Sequence, residues 1–263
     1  MSFVTGLTTS QIAALTTQQI AGFNTAIIAE LSTSQFMALT TSQVAVLTTA
    51  QIRALTSDQT VALTTDQAST LSSSQIAALS TNSIAALETT DLQVLRTSGI
   101  AALSTAQSKA FTTAQVATLT TDQVVALSTS VVASGLGTDQ VAALTTAQAA
   151  VLTSRQVAAL TTSNVAALET RDLAVISTSG IAVLSSAQVK ALTTDQVANL
   201  TTDQAVSLTS SSLAGLTTDQ AVALTTAQAA VLTTRQVAAL STSNIATSRV
   251  SSAAILLVLS AAT

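Results

Sequence analysis

The sequence predicts an all-α solenoid of short helices, one helix for each eight residues. Three observations predict it. First, residues 7 to 247 can be written as thirty octads of the form L-T-T-x-Q-V-A-A with one extra residue at Gly135, so the chain is a tandem array. Second, each typical octad opens with a helix-start signal, a hydroxyl followed three residues later by Gln. Third, one long helix does not fit, because eight residues advance it by about 800° and rotate the apolar set by about 80° per repeat, so that no stripe forms. A β-solenoid is the alternative. It is disfavoured because the octad does not alternate, Ala, Gln and Leu favour helix, and the Gly, Asn or Pro expected at tight corners is mostly missing.

Each octad position then has a predicted task. With the first Thr as N-cap, Gln stands at N3 and reaches back to the cap N–H, while the preceding Leu and the Val at N4 form a hydrophobic staple. Asp58, Asp66, Asp122, Asp139, Asp195, Asp203 and Asp219 all occupy the fourth position, in the first turn, where a carboxylate favours the positive end of the helix dipole. The third position is Thr or Ser in all thirty octads, whereas the second admits Asn24, Glu88, Arg96, Gly137 and Glu169, which leaves the cap between the two hydroxyls. On a helical wheel the first, fifth, sixth and eighth positions face inward. The seventh, which accepts Arg53, Gln93, Lys109 and Lys190, faces outward. A helix of this length is unstable alone, so stacking must supply its burial, with about three or four octads to a turn.

Above the octad lies a longer period. The fifth position is Gln in twenty octads, and after Ile27 its exceptions recur in order: Ser83, Asp91, Gly99 and Val131, then Asn164, Asp172, Gly180 and Ser212, each pair 81 residues apart. Three super-repeats follow, 7–86, 87–167 and 168–247, between an N-terminal end at 1–6 and an apolar C-terminal segment at 248–263. The insertion at Gly135 is expected to form a bulge or kink, glycine being tolerant of positive φ.

Composition excludes several functions. Only 8% of residues are charged, the net charge is −4 and the eight basic residues are scattered, which argues against a nucleic-acid partner. His, Cys, Tyr, Trp and Pro are absent, which removes disulfides, imidazole or thiolate metal sites and the usual base of a nucleophilic triad. Acidic residues spaced by octads lack the Gly-rich loops of calcium-binding repeats. We therefore expect no enzyme activity, no cofactor, no metal site and no small-molecule ligand. No cleavable signal peptide is visible in MSFVTGLTTSQ, and AAILLVLSAA at 253–262 is about half of what a membrane span needs.

Two resemblances attach to these residues. LTTDQVVAL at 119–127 is similar to the first helix of TAL-effector DNA-binding repeats, without that family's longer unit or its base-reading loop, so no DNA-reading residue is implied. The octads of 7–247 resemble bacterial proteins built from tandem LTTxQVAAL octads, some of them described as haem-utilisation or surface proteins. That resemblance implies a surface protein. A haem role is opposed by the lack of His, Tyr and Cys, with Met1 and Met37 as the only methionines.

The expected function is a structural repeat protein that assembles head-to-tail with itself into an extracellular or cell-surface filament or matrix fibre. Capping repeats normally carry a polar face, whereas the ends here offer Phe3, Val4, Ile255, Leu256, Leu257, Val258 and Leu259 as an assembly interface. An end-to-end contact that does not close on itself produces a fibre. The alternative is a monomeric surface stalk or adhesin, or an ice-binding solenoid exposing its hydroxyl rows.

Overall fold

The computed structural model describes residues 3–240. Among these residues the chain forms 28 α-helices of four to six residues, a 3-10 turn at Phe3–Gly6 and a π turn at Val131–Gly135, with no strand. The all-α solenoid predicted from the octad is the fold observed. The chain divides into two compact units, Met1–Val131 and Val132–Thr263.

The cap is the first hydroxyl of the pair. In the helix Thr49–Arg53, Thr48 has extended backbone, its hydroxyl accepts from the Gln51 N–H at 3.3 Å, and Gln51 Oε1 accepts from the Thr48 N–H at 2.7 Å. This reciprocal pair recurs wherever Ser or Thr stands second and Gln fifth, as at Thr8, Ser72, Thr120, Thr193 and Thr233. Asn24 also caps through its side chain, whereas Glu88, Arg96 and Glu169 make no side-chain cap bond. At Gly137 only the return bond exists, from its N–H to Gln140 Oε1 at 2.7 Å. The second hydroxyl is N1, and all seven fourth-position aspartates lie exposed in a first turn.

Each helix ends as regularly as it begins. At most helix ends the N–H of the next Leu bonds to the sixth-position carbonyl, as from Leu15 to Ile12 at 3.2 Å, while Leu168 bonds instead to Asn164 O at 3.2 Å. The Leu then turns extended, as at Leu160 with φ −57° and ψ 136°. No described residue has positive φ, which explains how the chain makes its corners without glycine or asparagine. Gly135 follows the same rule: the expected positive-φ bulge is not formed, and the extra residue widens one helical turn into a π turn.

Burial follows the wheel at three positions of four. The sixth position is buried along the described chain, with Ile12, Val44, Ile76, Val116, Val165 and Val189 at 0% exposure. The first and fifth are buried from Leu31 and Gln35 onward, and in the first three octads they are exposed or half-buried. The eighth position differs from expectation. Ala78 is buried there, but Ala14, Glu30, Val46 and Asn199 are exposed. The eighth residue is the last of its helix, as at Glu30 and Ala78, or the residue just after it, as at Ala14, Val46 and Asn199, so it lies where the regular turn is giving way to the corner.

Within each unit the coil closes between three and four octads. A helix packs against the third helix after it, as Thr65–Thr70 does with Thr89–Val94 and Thr178–Ala182 with Thr202–Ser207. The Gln Nε2 bonds between coils span 28 to 31 residues, so a turn holds about three and a half octads.

Candidate functional site

The repeated Gln is the element that joins coil to coil. Its backbone N–H and Oε1 complete the cap, and its Nε2 is left over. That group donates to carbonyls at the end of a helix in the preceding coil. Gln75 Nε2 reaches Val44 O at 3.0 Å and Leu47 O at 2.9 Å. In the second unit Gln196 Nε2 reaches Val165 O at 2.9 Å and Leu168 O at 2.7 Å. At most helix ends the sixth-position carbonyl already accepts from the next Leu N–H, but the Leu carbonyl lies in the break between helices, where no helical partner is available. A buried carbonyl must be paired, and Gln supplies the donor while staying 2% exposed at both Gln51 and Gln196. One residue type therefore starts each helix and ties it to the coil before.

The ladder has an edge in the first unit. Gln35 is the first glutamine to join it, donating to Val4 O at 2.7 Å and Leu7 O at 2.8 Å. Gln11 and Gln19 make their caps, accepting from Thr8 N and Thr16 N at 2.8 Å each, and are exposed with their Nε2 groups unpaired. Phe3 is 61% exposed and meets the Phe23 ring edge-on at 5.7 Å between centroids. Val4 is fully buried, so of the two N-terminal residues only Phe3 presents its side chain at the surface. Ile255, Leu256, Leu257, Val258 and Leu259 lie outside the described residues. The open amides of Gln11 and Gln19 belong to this edge as well. The sequence signals them only as Gln in the first two octads, because the acceptors that mark a ladder lie about 30 residues away.

The fifth-position exceptions divide by what they still reach. Asn164 Nδ2 donates to Leu136 O at 3.2 Å, and the Ser212 hydroxyl donates to Leu184 O. Ser83 bonds to Ser80 at 2.9 Å. Gly99 and Gly180 have no side chain, and a Cβ on either would press on buried isoleucine, Ile76 in one case and Ile176 in the other. Asp91 and Asp172 are 1% and 0% exposed, and each leaves its Oδ2 without a partner. Burial raises the Asp91 carboxyl above its ordinary 3.8, the Thr65 hydroxyl bond opposes that shift, and the charge of Glu88 adds to it.

Other chemistry is sparse. Lys109 and Lys190 are exposed on seventh positions, and the described residues hold no group of three or more acidic, His or Cys side chains placed to share a metal ion. No described helix is long and apolar enough to cross a membrane.

Comparison with known proteins agrees with this repeat geometry. The ALTTAQ repeat matches residues 45–73, 84–121, 100–129, 134–162 and 165–202, together more than half of the chain. No curated protein matches it.

Proposed function

The chain belongs to the ALTTAQ repeat family, and from that premise we propose that it is a structural protein which assembles head-to-tail with itself into an extracellular filament or matrix fibre. The observation that carries this reading is the ladder edge at Gln11 and Gln19. Their caps are complete and their Nε2 groups face solvent in the register that, one coil later, binds Val4, Leu7, Ile12 and Leu15 carbonyls. A coil of a second copy with free Leu carbonyls would continue the same bonding. Exposed Phe3 adds an apolar contact beside them. The contact is heterologous, which gives open fibres in place of closed rings. A net charge of −4 on 263 residues offers little repulsion against lateral association.

The resemblance of the octads to bacterial surface proteins supports a place outside the cell, and a structural role accounts for these residues without catalysis or a cofactor. Negative-stain microscopy of the full chain tests the reading, beside a Gln11→Ala/Gln19→Ala variant and a chain lacking residues 248–263. Uniform thin fibres from the full chain, lost in the double variant, are expected. Separate monomers in every sample would overturn the filament and leave the stalk, adhesin and ice-binding readings to adhesion and ice-recrystallisation assays.

A further inference from the structure

In three consecutive octads of the first unit the ladder has no glutamine. Ser83 keeps its hydroxyl within its own helix, and Gly99 yields its space to Ile76. Between them stands Asp91. Its Oδ1 accepts from the Thr65 hydroxyl at 2.8 Å, and its Oδ2 is buried with no partner. Intact rungs bond to the residues 31 and 28 positions earlier, and for Asp91 that register gives the carbonyls of Thr60 and Leu63.

A carboxylate is the wrong group for this place. It has four acceptor sites and no donor, and it would meet carbonyl oxygens that also only accept. Burying such a charge with one oxygen unpaired and no cation beside it is costly. Asn164 shows what the position requires. It stands at the fifth position of the octad that matches Ser83 in the second unit, its side chain is as long as that of Asp, and its Nδ2 donates to Leu136 O at 3.2 Å. The protonated acid is the form of Asp that carries an equivalent donor.

The surrounding charges offer no substitute for the proton. The helix Thr89–Val94 packs against Thr65–Thr70, which carries Asp66, and against Thr113–Thr118, which has no titratable residue. Asp66 is exposed, as are Asp58 in the coil before, Glu88 at the N-cap and Arg96 at the next N-cap. Both ion pairs among the described residues involve Arg171, in the other unit.

We propose that Asp91 keeps its proton in the folded protein and uses it as its neighbours use the Gln amide, donating from Oδ2 to a carbonyl of the preceding coil, so that this junction is a proton-dependent latch. The inference holds whether or not the chain polymerises. Because the folded carboxyl binds its proton more tightly than the unfolded one, the latch is complete below the ordinary value of 3.8 and is lost as pH rises through the folded value. The junction therefore weakens toward neutral and alkaline pH, opposite to the usual behaviour of a paired aspartate.

The test compares the full chain with Asp91→Asn, which places a permanent donor where the acid needs a proton. Thermal unfolding from about pH 4 to about pH 8 should show the wild type losing a few degrees in Tm relative to the variant. A difference that is constant with pH, or that grows in favour of the wild type as pH rises, overturns the proposal. A second measurement does not depend on the variant folding. The Asp91 Cγ resonance of the wild type, followed by NMR through its backbone assignment, should pass from its protonated to its ionised shift above 3.8. Titration of Asp91 at or below 3.8 overturns the latch.

Discussion

Residues 79–102 and 160–183 are copies of the same three octads, and the two copies are tied by different polar contacts. Where the first has Ser83, bonded only as far as Ser80, the second has Asn164, reaching the Leu136 carbonyl of the preceding coil. Arg96 begins its helix with no side-chain cap, whereas Ser177 in the copy accepts from the Gly180 N–H at 3.2 Å. Thr90 is exposed, and in its place Arg171 pairs with Glu169 and brings its Nε to 3.7 Å from Asp172 Oδ1. The buried acids themselves are alike: Asp91 accepts from Thr65 at 2.8 Å, Asp172 from Thr146 at 2.6 Å, and each leaves Oδ2 unpaired. Both copies contain the same break in the glutamine ladder; the first bridges coils there through Ser73 to Ser98 and Gln93 to Thr118, and only the second adds a side-chain amide on the ladder and a cation beside its buried acid.

The comparison teaches where such a solenoid is weak. In a repeat protein each unit is held mainly by its neighbours, so stability is set rung by rung, and the three rungs at 83, 91 and 99 lack the amide that holds the others. The strongest way to press on that difference is Gln107→Ala, which extends the first break by a fourth octad. Gln107 Oε1 accepts from Ser104 N at 2.9 Å, and its Nε2 donates to Ile76 O at 3.1 Å and Leu79 O at 2.9 Å. Ile76 O keeps the Leu79 N–H, so alanine leaves the Ser104 N–H and the Leu79 carbonyl unpaired, and at about 1–3 kcal/mol for each group the expected loss is about 2–4 kcal/mol. Chemical unfolding measures that loss, and hydrogen exchange should place it in the octads from 71 to 110. A cost below about 1 kcal/mol would show that apolar packing, not the amide, joins the coils.

Much of this arrangement was legible in the sequence. The octad, the hydroxyl and Gln three residues apart, and the inward first, fifth and sixth positions each follow from helix geometry. Even the choice of cap had a readable clue, since Asn24 replaces the first hydroxyl of the pair and is itself a capping residue. The invariance of the third hydroxyl pointed the other way. As N1 it caps nothing, and it joins coils only in places, through Thr65 to Asp91, Thr146 to Asp172 and Ser73 to Ser98. The reach of Gln Nε2 was not legible, because its acceptors lie 28 to 31 residues away and local pattern carries no such distance. The burial of Asp91 follows from its fifth position, but its lack of a partner follows only from the coil beneath.

A smaller effect sharpens the comparison by repair. Arg96→Ser would give the first copy the cap that Ser177 gives the second. The hydroxyl would accept from the Gly99 N–H, and a cap of this kind is worth about 1 kcal/mol. The variant should be more stable by that amount in chemical unfolding, and Ser177→Arg should be less stable by a similar amount. If neither moves, the loss of a side-chain cap is already compensated at both sites, and the two copies differ less than their contacts indicate.

The smallest expected change in stability comes from Thr90→Arg, which carries the arginine of the second copy into the first. Its guanidinium would pair with Glu88 as Arg171 pairs with Glu169, offsetting the like charge that now adds to burial in raising the Asp91 carboxyl. It would also set a positive charge beside Asp91. Because Arg171 itself is 70% exposed, solvent screens such a pair and the gain in stability should stay under about 1 kcal/mol. The informative quantity is the titration of Asp91. A cation nearby favours the carboxylate, so the Cγ titration should move down toward 3.8 in Thr90→Arg, and the wild type's loss of stability with rising pH should shrink with it. High salt should reverse part of that change, since it screens the added charge. If the titration does not move, the residue at position 90 has no part in the difference between the copies, and desolvation by the coil beneath is enough to keep Asp91 protonated.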